Sequence, residues 1–155
     1  MNTMCFAGGL VTAYVVGMAV VVGAVETNVT DSAVPGIQRV SDSGKYAFVL
    51  FHRGGEGAVE IRETIKKAVE DVKGQAESIE IDVAVPASES TVKRYGINRA
   101  PLPVVLVIAP NGAVTGGFPG TCEPKALAEA MVGPKAASCL KILQEGKVVI
   151  VCVQP

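Results

Sequence analysis

The chain has 155 residues, a formal net charge of −1 and a charged fraction of 19% in which both signs are interspersed. This length suffices for one domain with a hydrophobic core, since a domain of this size buries roughly two thirds of the surface that its unfolded chain exposes. The balanced charge and the lack of tryptophan exclude the basic surface and aromatic platforms typical of nucleic-acid binding. We therefore expect no nucleic-acid partner.

An uncharged apolar run occupies residues 5–25. As a helix it would span a bilayer hydrocarbon core, which needs about 20 apolar residues. The run is predicted to be either a signal peptide cleaved after Ala24 or an uncleaved transmembrane anchor, with a buried core element as the alternative. Glu26 and Asp31 follow the run and favour an exported carboxyl-terminal part. The expected location is therefore membrane-anchored or secreted, on the periplasmic or extracellular side.

Residues 26–44 are rich in Ser, Thr, Asp, Pro and Gly and are predicted to form a linker with at most one short helix near 37–40. The apolar run Lys45–Phe51 then predicts a central strand buried on both faces. An amphipathic helix follows, with Ile61 and Ile65 on its apolar face, and a second strand is predicted at 78–85.

Residues 95–120 carry the strongest local signals in the chain. A proline corner at Ala100-Pro101 precedes a buried strand at Val104–Ile108, and an Asn-Gly turn at 111–112 leads into a further strand that closes at Gly120. Asn-Gly between two apolar runs predicts a type I′ turn, because both residues tolerate a positive φ. These two strands are therefore predicted to pair antiparallel. Thr121 is predicted to cap a helix over 122–132.

The region 133–155 is predicted to form a helix over 135–144 and a strand over 146–154. The strand sequence GKVVIVCVQ is similar to GKYAFVLFH at residues 44–52. This similarity indicates the start of a second similar domain. An extra edge or covering strand packed on the first domain is the equally weighted alternative.

The order helix, proline corner, strand, Asn-Gly turn, strand and helix resembles the carboxyl-terminal half of thioredoxins, and the resemblance extends over residues 45–132. It implies an α/β thioredoxin-like fold, in which a central mixed sheet is flanked by helices. In this chain the apolar run at 5–25 would add an N-terminal hydrophobic helix ahead of that domain.

The resemblance also implies where redox chemistry belongs. Aligning Phe51 with the phenylalanine that ends the family's central strand places Glu56-Gly57-Ala58-Val59 where thioredoxins carry C-G-P-C, and Leu50 where they carry a buried Asp. The chain has no cysteine between residues 6 and 121. Because dithiol exchange needs an attacking and a resolving sulfur, we expect a redox-inactive binding or structural module and not an enzyme.

The family's cis-proline lies beside the active site, where the neighbouring backbone can pair with an extended peptide. The resemblance places Pro101 at this position, so Ala100, Pro101, Gly55 and Glu56 are the predicted peptide-binding residues and the predicted partner is a protein or extended peptide. Pro103 is interpreted as an extra proline that removes one amide donor near this groove.

Four cysteines, at positions 5, 122, 139 and 152, are too widely spaced for a C-x-x-C metal or redox motif, so no metal or cofactor is expected. Cys122 directly follows the predicted cap Thr121, and a helix amino terminus lowers a thiol pKa. The alternative function is therefore a thiol-disulfide oxidoreductase or redox sensor that uses Cys122 or a C-x-x-C in a downstream domain. His52 is interpreted as an exposed side chain, and no catalytic pair with Glu56 is predicted.

Overall fold

The computed structural model describes residues 33–54 and 57–152. The predicted signal peptide or anchor at 5–25 and the predicted binding residues Gly55 and Glu56 lie outside this part of the chain. No helix among the described residues is long and apolar enough to cross a membrane.

One mixed sheet of four strands organises the described residues, in the spatial order β2-β1-β3-β4. Strand β1 pairs parallel with β2 and antiparallel with β3, and β3 pairs antiparallel with β4. Strand β1 is buried from Ala47 to His52 and confirms the predicted central strand, because a strand covered on both faces needs a continuous apolar sequence. The strands are β1 at Tyr46–His52, β2 at Ala76–Asp82, β3 at Val104–Ile108 and β4 at Val114–Pro119.

Five α-helices and two 3₁₀ turns connect and cover the described strands. Helix α2 crosses between the two parallel strands and is amphipathic, as predicted, with Ile61 and Ile65 buried on the sheet. Helix α1 is longer than the short helix predicted near 37–40. The helices are α1 at Ala33–Asp42, α2 at Gly57–Asp71, α3 at Glu89–Arg94, α4 at Pro124–Glu129 and α5 at Pro134–Gln144, and the 3₁₀ turns lie at Pro86–Ser88 and Ile97–Arg99.

The hairpin between β3 and β4 confirms the predicted antiparallel pairing, but its turn is not type I′. Gly112 has a φ of 78°, whereas Asn111 is not among the residues with positive φ. The Ala109 N–H donates to the Ala113 carbonyl at 2.8 Å, and the Asn111 Oδ1 accepts from the Ala113 N–H at 3.1 Å. Three residues therefore form the loop, with glycine at its left-handed position, which is the next commonest hairpin class.

The sheet separates two apolar cores. The core beneath α1 and α3 includes Phe51, and the core beneath α2 and α4 includes Phe48. Both phenylalanines are fully buried because successive side chains of β1 alternate between the two faces. The central strand therefore anchors both helical layers.

The predicted strand at 146–154 is not formed over the described residues 146–152. Val148 and Ile150 are 88% and 87% exposed, so the predicted edge or covering strand on this sheet is wrong. The neighbouring edge of β4 is already bonded at Val114, whose N–H donates to Gln144 Oε1 at 3.0 Å and whose carbonyl accepts from Gln144 Nε2 at 2.6 Å. A β-prone sequence with no strand to pair with does not form a strand. The start of a second domain stays a prediction.

Strand β4 carries two adjacent glycines that differ in the space around them. A Cβ at Gly116 would lie 2.9 Å from the Ala130 Cβ, whereas one at Gly117 would meet Leu106 at 3.4 Å. We expect Gly116→Ala to lower the free energy of unfolding by about 1 kcal/mol through overpacking. Gly117→Ala is the matched control and should be nearly neutral. Urea denaturation of both variants measures the difference, and equal stabilities would contradict it.

Candidate functional site

The segment that aligns with the family's redox motif lies at the start of α2. Strand β1 ends at His52 and α2 begins at Gly57, so Ala58 and Val59 occupy the first helical turn. Ala58 is 2% exposed and packs inward, whereas Val59 is 53% exposed. Neither side chain offers a nucleophile, which agrees with the absence of cysteine from this part of the sequence.

A cleft of about 400 Å³ lies between α2 and the two segments that flank the β3–β4 hairpin. The first turns of α2 form one wall of this cleft, Pro103 forms the floor at the start of β3, and the residues after β4 form the other wall. Its lining residues are Glu60, Ile61, Thr64, Pro103, Gly120, Thr121 and Cys122. We refer to it as the Pro103 cleft.

The cis peptide bond of the described residues is Leu102-Pro103, so the prediction that Pro101 is the cis-proline is wrong. Pro103 directly precedes β3, and its carbonyl accepts a hydrogen bond from the Gly120 N–H at 2.8 Å. Pro103 is therefore part of the end of the sheet. Pro101 is exposed and lies two residues earlier, just after a 3₁₀ turn. Pro103, interpreted as an extra proline, occupies the position assigned to Pro101.

Of the predicted binding residues, the structure describes Ala100 and Pro101, and neither lines the Pro103 cleft. Ala100 lines a separate cleft of about 420 Å³ together with Arg53, Val83 and Leu102. Val83 and Leu102 pack on the core beneath α1 and α3, whereas Cys122 of the Pro103 cleft packs on the core beneath α2 and α4. The two clefts therefore adjoin opposite faces of the sheet.

Cys122 lies at the rim of the Pro103 cleft but is not part of a helix. Helix α4 begins at Pro124 with Glu123 as its N-cap, so the predicted cap at Thr121 and helix start at 122 are wrong. A proline at the first helical position is a favoured start, because its missing N–H would lack a helical partner there anyway. Burial raises the pKa of the Cys122 thiol above its ordinary value, which contradicts the lowering that the predicted helix start implied. Cys122, Cys139 and Cys152 are free thiols.

We expect alkylation to distinguish Cys122 from Cys152 in the full chain. Iodoacetamide at pH 7.5 should modify the half-buried Cys122 several-fold more slowly than the exposed Cys152, because the thiolate is the reacting species and burial disfavours it. Mass spectrometry of a time course measures both rates within one sample. A Cys122 that reacts faster than Cys152 would contradict the structure.

A second constellation, which we name the His52 cluster, consists of His52, Gly54, Arg62 and Glu80. The His52 side chain is 8% exposed, so its interpretation as an exposed residue is wrong. His52 Nε2 lies 2.6 Å from Glu80 Oε1, and the Gly54 N–H donates to His52 Nδ1 at 2.9 Å. The Arg62 Nε donates to both carboxylate oxygens of Glu80 at 2.9 Å.

Within the His52 cluster, neighbouring charges shift the pKa values of Glu80 and Arg62 so that both groups stay charged. The Arg62 guanidinium, and after it His52, holds the pKa of the Glu80 carboxyl below its usual range. Glu80 in turn raises the pKa of Arg62. No sequence motif signals this cluster, because Glu80 reaches His52 only through the parallel register of β1 and β2, in which Leu50 pairs with Glu80 and His52 with Asp82. No group of three or more metal-ligating side chains lies together among the described residues.

The arrangement of the strands decides the fold. A parallel pair joined by a helical crossover, followed by an antiparallel hairpin that completes the order β2-β1-β3-β4, is the core arrangement of thioredoxins. The fold is thioredoxin-like. Within it, the Pro103 cleft lies at the end of the sheet where β1 passes into α2.

No protein-family model matches the sequence, and no curated protein matches it. Thioredoxin O2 from Arabidopsis thaliana in its oxidised state is similar in structure, with a TM-score of 0.48 and 9% identity over 66% of this chain and 86% of that one. A disulphide isomerase from Xylella fastidiosa has a TM-score of 0.39 and 18% identity over 68% of this chain and 86% of its own. A protein of unknown function from Pseudomonas aeruginosa has a TM-score of 0.37 and 18% identity over 72% of this chain and 69% of its own. Identities this low assign no activity.

Proposed function

We propose that this thioredoxin-like chain is a redox-inactive binding module that holds an extended segment of a partner protein in the Pro103 cleft. The observation that carries the proposal is that Cys122 is the one thiol lining this cleft, and that burial raises its pKa. A dithiol reaction there would need a second sulfur. The sequence supplies no cysteine between residues 6 and 121, which includes the connection from β1 to α2.

The lining of the cleft suits an extended peptide. Pro103 is the partly exposed apolar residue of the lining, since Ile61 is only 4% exposed. Thr64 and Thr121 carry hydroxyl groups, of which that of Thr64 donates to the Glu60 carbonyl at 3.1 Å, and Gly120 has no side chain to block a close approach. An open groove with a few polar groups can bind a main chain that lies along it, whereas it would leave a compact small molecule largely exposed.

We further propose that the module is exported, either anchored in a membrane through residues 5–25 or secreted after their removal. The support for this location is the uncharged apolar run itself and the acidic residues that follow it. A partner on the periplasmic or extracellular side would then meet the Pro103 cleft outside the cytoplasm.

The proposed binding is tested by protection of Cys122. Reduced, carboxymethylated α-lactalbumin serves as the probe, because it is a soluble polypeptide that stays unfolded. With the full chain, saturating probe should slow alkylation of Cys122 several-fold and leave Cys152 unchanged. Equal rates with and without the probe at concentrations up to the millimolar range would overturn the proposal.

Two tryptophan variants make the test specific to the cleft. Thr64→Trp places a large side chain in the wall of the Pro103 cleft, and we expect it to abolish the protection of Cys122 by the probe. Lys66→Trp is the matched control, because Lys66 is exposed on the same helix and lines a different groove. Protection that survives Thr64→Trp would locate the binding elsewhere.

A thiol-dependent function is the second candidate, and the position of Cys122 in the Pro103 cleft favours it. In this alternative Cys122 forms a mixed disulfide with a cysteine of a bound partner, or serves a C-x-x-C in a downstream domain. Rapid alkylation of Cys122, together with recovery of a mixed disulfide with a cysteine-containing form of the probe, would favour this candidate over the binding module.

A further inference from the structure

The hydrogen bonds of His52 define which of its nitrogens carries the proton. The Gly54 N–H donates to Nδ1 at 2.9 Å, and an imidazole nitrogen can accept a hydrogen bond only when it has no proton. Nε2 therefore carries the proton of the neutral ring and donates it to Glu80 Oε1 at 2.6 Å. Both ring nitrogens are satisfied in this neutral tautomer.

A second proton on His52 can only go to Nδ1, where it removes the acceptor that the Gly54 N–H uses. Gly54 belongs to the turn that follows β1, and its φ of 77° is a left-handed conformation that glycine tolerates. The hydrogen bond to Nδ1 holds this turn from inside the fold. Protonation of Nδ1 replaces the hydrogen bond from the Gly54 N–H with a repulsive contact between two N–H donors.

The ionisable side chains around the ring come from three elements. Strand β2 contributes Glu80 and Asp82, the latter accepting the Ala84 N–H at 2.9 Å, while β1 is followed by the exposed Arg53. Helix α2 contributes Arg62, with Glu63 and Lys66 further along its groove beside Glu80. Strand β3 is entirely apolar.

We propose that His52 is a pH-sensitive latch that holds the turn at Gly54 when neutral and releases it when protonated, and that it thereby regulates binding at the Pro103 cleft. The regulatory half of this inference rests on the proposed function. Gly54 precedes α2 in the sequence, and the α2 residues Glu60, Ile61 and Thr64 line the cleft. Arg62, the next residue after Ile61, is bonded to the carboxylate that His52 contacts.

The latch itself is tested without any ligand. His52 is the one histidine in the chain, so long-range ¹H–¹⁵N correlation spectra of the labelled full chain report its two nitrogens without ambiguity. At pH 8 we expect Nδ1 to be unprotonated and Nε2 protonated. On acidification the Gly54 amide resonance should move with the titration of the ring, and its protection from hydrogen exchange should fall by about fivefold, the loss of one ordinary hydrogen bond. A proton on Nδ1 at pH 8 overturns the proposed latch, as does a Gly54 amide chemical shift that stays constant while the His52 ring titrates.

Two substitutions of His52 separate its two hydrogen bonds. His52→Asn keeps an acceptor at the position of Nδ1 and should hold Gly54 protected at every pH. His52→Gln reaches toward Glu80 but offers no acceptor to Gly54, and should leave the amide unprotected at every pH. The opposite pattern overturns the proposal. Where His52→Gln does not fold, the titration of the unsubstituted chain and of His52→Asn still decides.

Regulation of the cleft is tested with the same α-lactalbumin probe. In the unsubstituted chain we expect the affinity to fall by about fivefold across the titration of His52, which is at the low end of couplings between sites. In His52→Asn the affinity should not fall, and this variant also controls for titration of the probe. An equal fall in both proteins overturns the regulation. Absence of probe binding at pH 8 would instead refute the proposed function. The pH dependence of the Gly54 amide resonance would still test whether His52 holds the turn.

Discussion

Phe48→Ala should cost about 3–5 kcal/mol of unfolding free energy, the range measured for truncation of buried phenylalanines. Phe48 is 0% exposed at the centre of β1 and contacts the core beneath α2 and α4. Its removal leaves a cavity between the sheet and helices α2 and α4, where the surrounding side chains are already packed. Thermal unfolding of the full chain should show a midpoint roughly 10 °C lower or more.

Phe118→Ala is the matched control for this prediction. Phe118 packs against the same core from β4, but it is only partly buried and lies in an outer strand of the sheet. We expect a loss less than half as large, because solvent and neighbouring side chains can fill the space. Equal losses at Phe48 and Phe118 would show that the central strand is not the main anchor of this layer.

The strands that local sequence signals specify were predicted within a few residues. β1 and β3 are continuous apolar runs, and the Asn-Gly turn between β3 and β4 predicted their antiparallel partner. These signals are local, since burial on both faces and a tight turn each leave a direct record in a short stretch of sequence. Only the turn class differed, because Asn111 uses its side chain and not a positive φ.

The wrong predictions concern features that tertiary packing determines and that local sequence does not. Pro101 and Pro103 are equivalent by local rules, and the structure distinguishes them by the cis bond at Leu102-Pro103 and by the hydrogen bond that the Gly120 N–H donates to the Pro103 carbonyl. The start of α4 lies at Pro124 and not after Thr121, because proline is favoured at the first helical position. The predicted strand at 146–154 is not formed over residues 146–152, because a strand depends on pairing with another strand, which a single segment does not reveal.

The absence of cysteine between residues 6 and 121 is evident in the sequence, because it concerns which residues are present. The cleft requires the end of β3, the segment after β4 and α2 to meet, and the His52 cluster requires the register of two parallel strands. Both depend on residues far apart in the chain, and single-sequence patterns carry no information on such contacts.

Glu80→Ala should lower the free energy of unfolding by about 2 kcal/mol, because it leaves the Nε2–H of His52 buried without its acceptor. The ion pair with Arg62 adds little to this loss, since both side chains are 42% exposed and solvent screens them. Glu77→Ala is the matched control on the same strand. Glu77 pairs with Lys45 at 2.6 Å, but both side chains are more than a third exposed and no buried group depends on them. We expect that variant to be nearly neutral in urea denaturation, and equal losses would contradict a role for the buried ring.

The same carboxylate should make stability depend on pH in a defined direction. The pKa of Glu80 is lower in the folded chain than its ordinary value, chiefly through Arg62. The unfolded chain therefore binds more protons over the interval between the two values, and stability falls as pH decreases through it. Glu80→Gln keeps an oxygen acceptor for His52 Nε2–H but cannot titrate, so its stability should fall less than that of the unsubstituted chain between about pH 5 and pH 3. Parallel stability curves for the two proteins over this range would mean that folding does not lower the pKa of Glu80. The contacts of Glu80 with Arg62 and His52 would then not persist in solution.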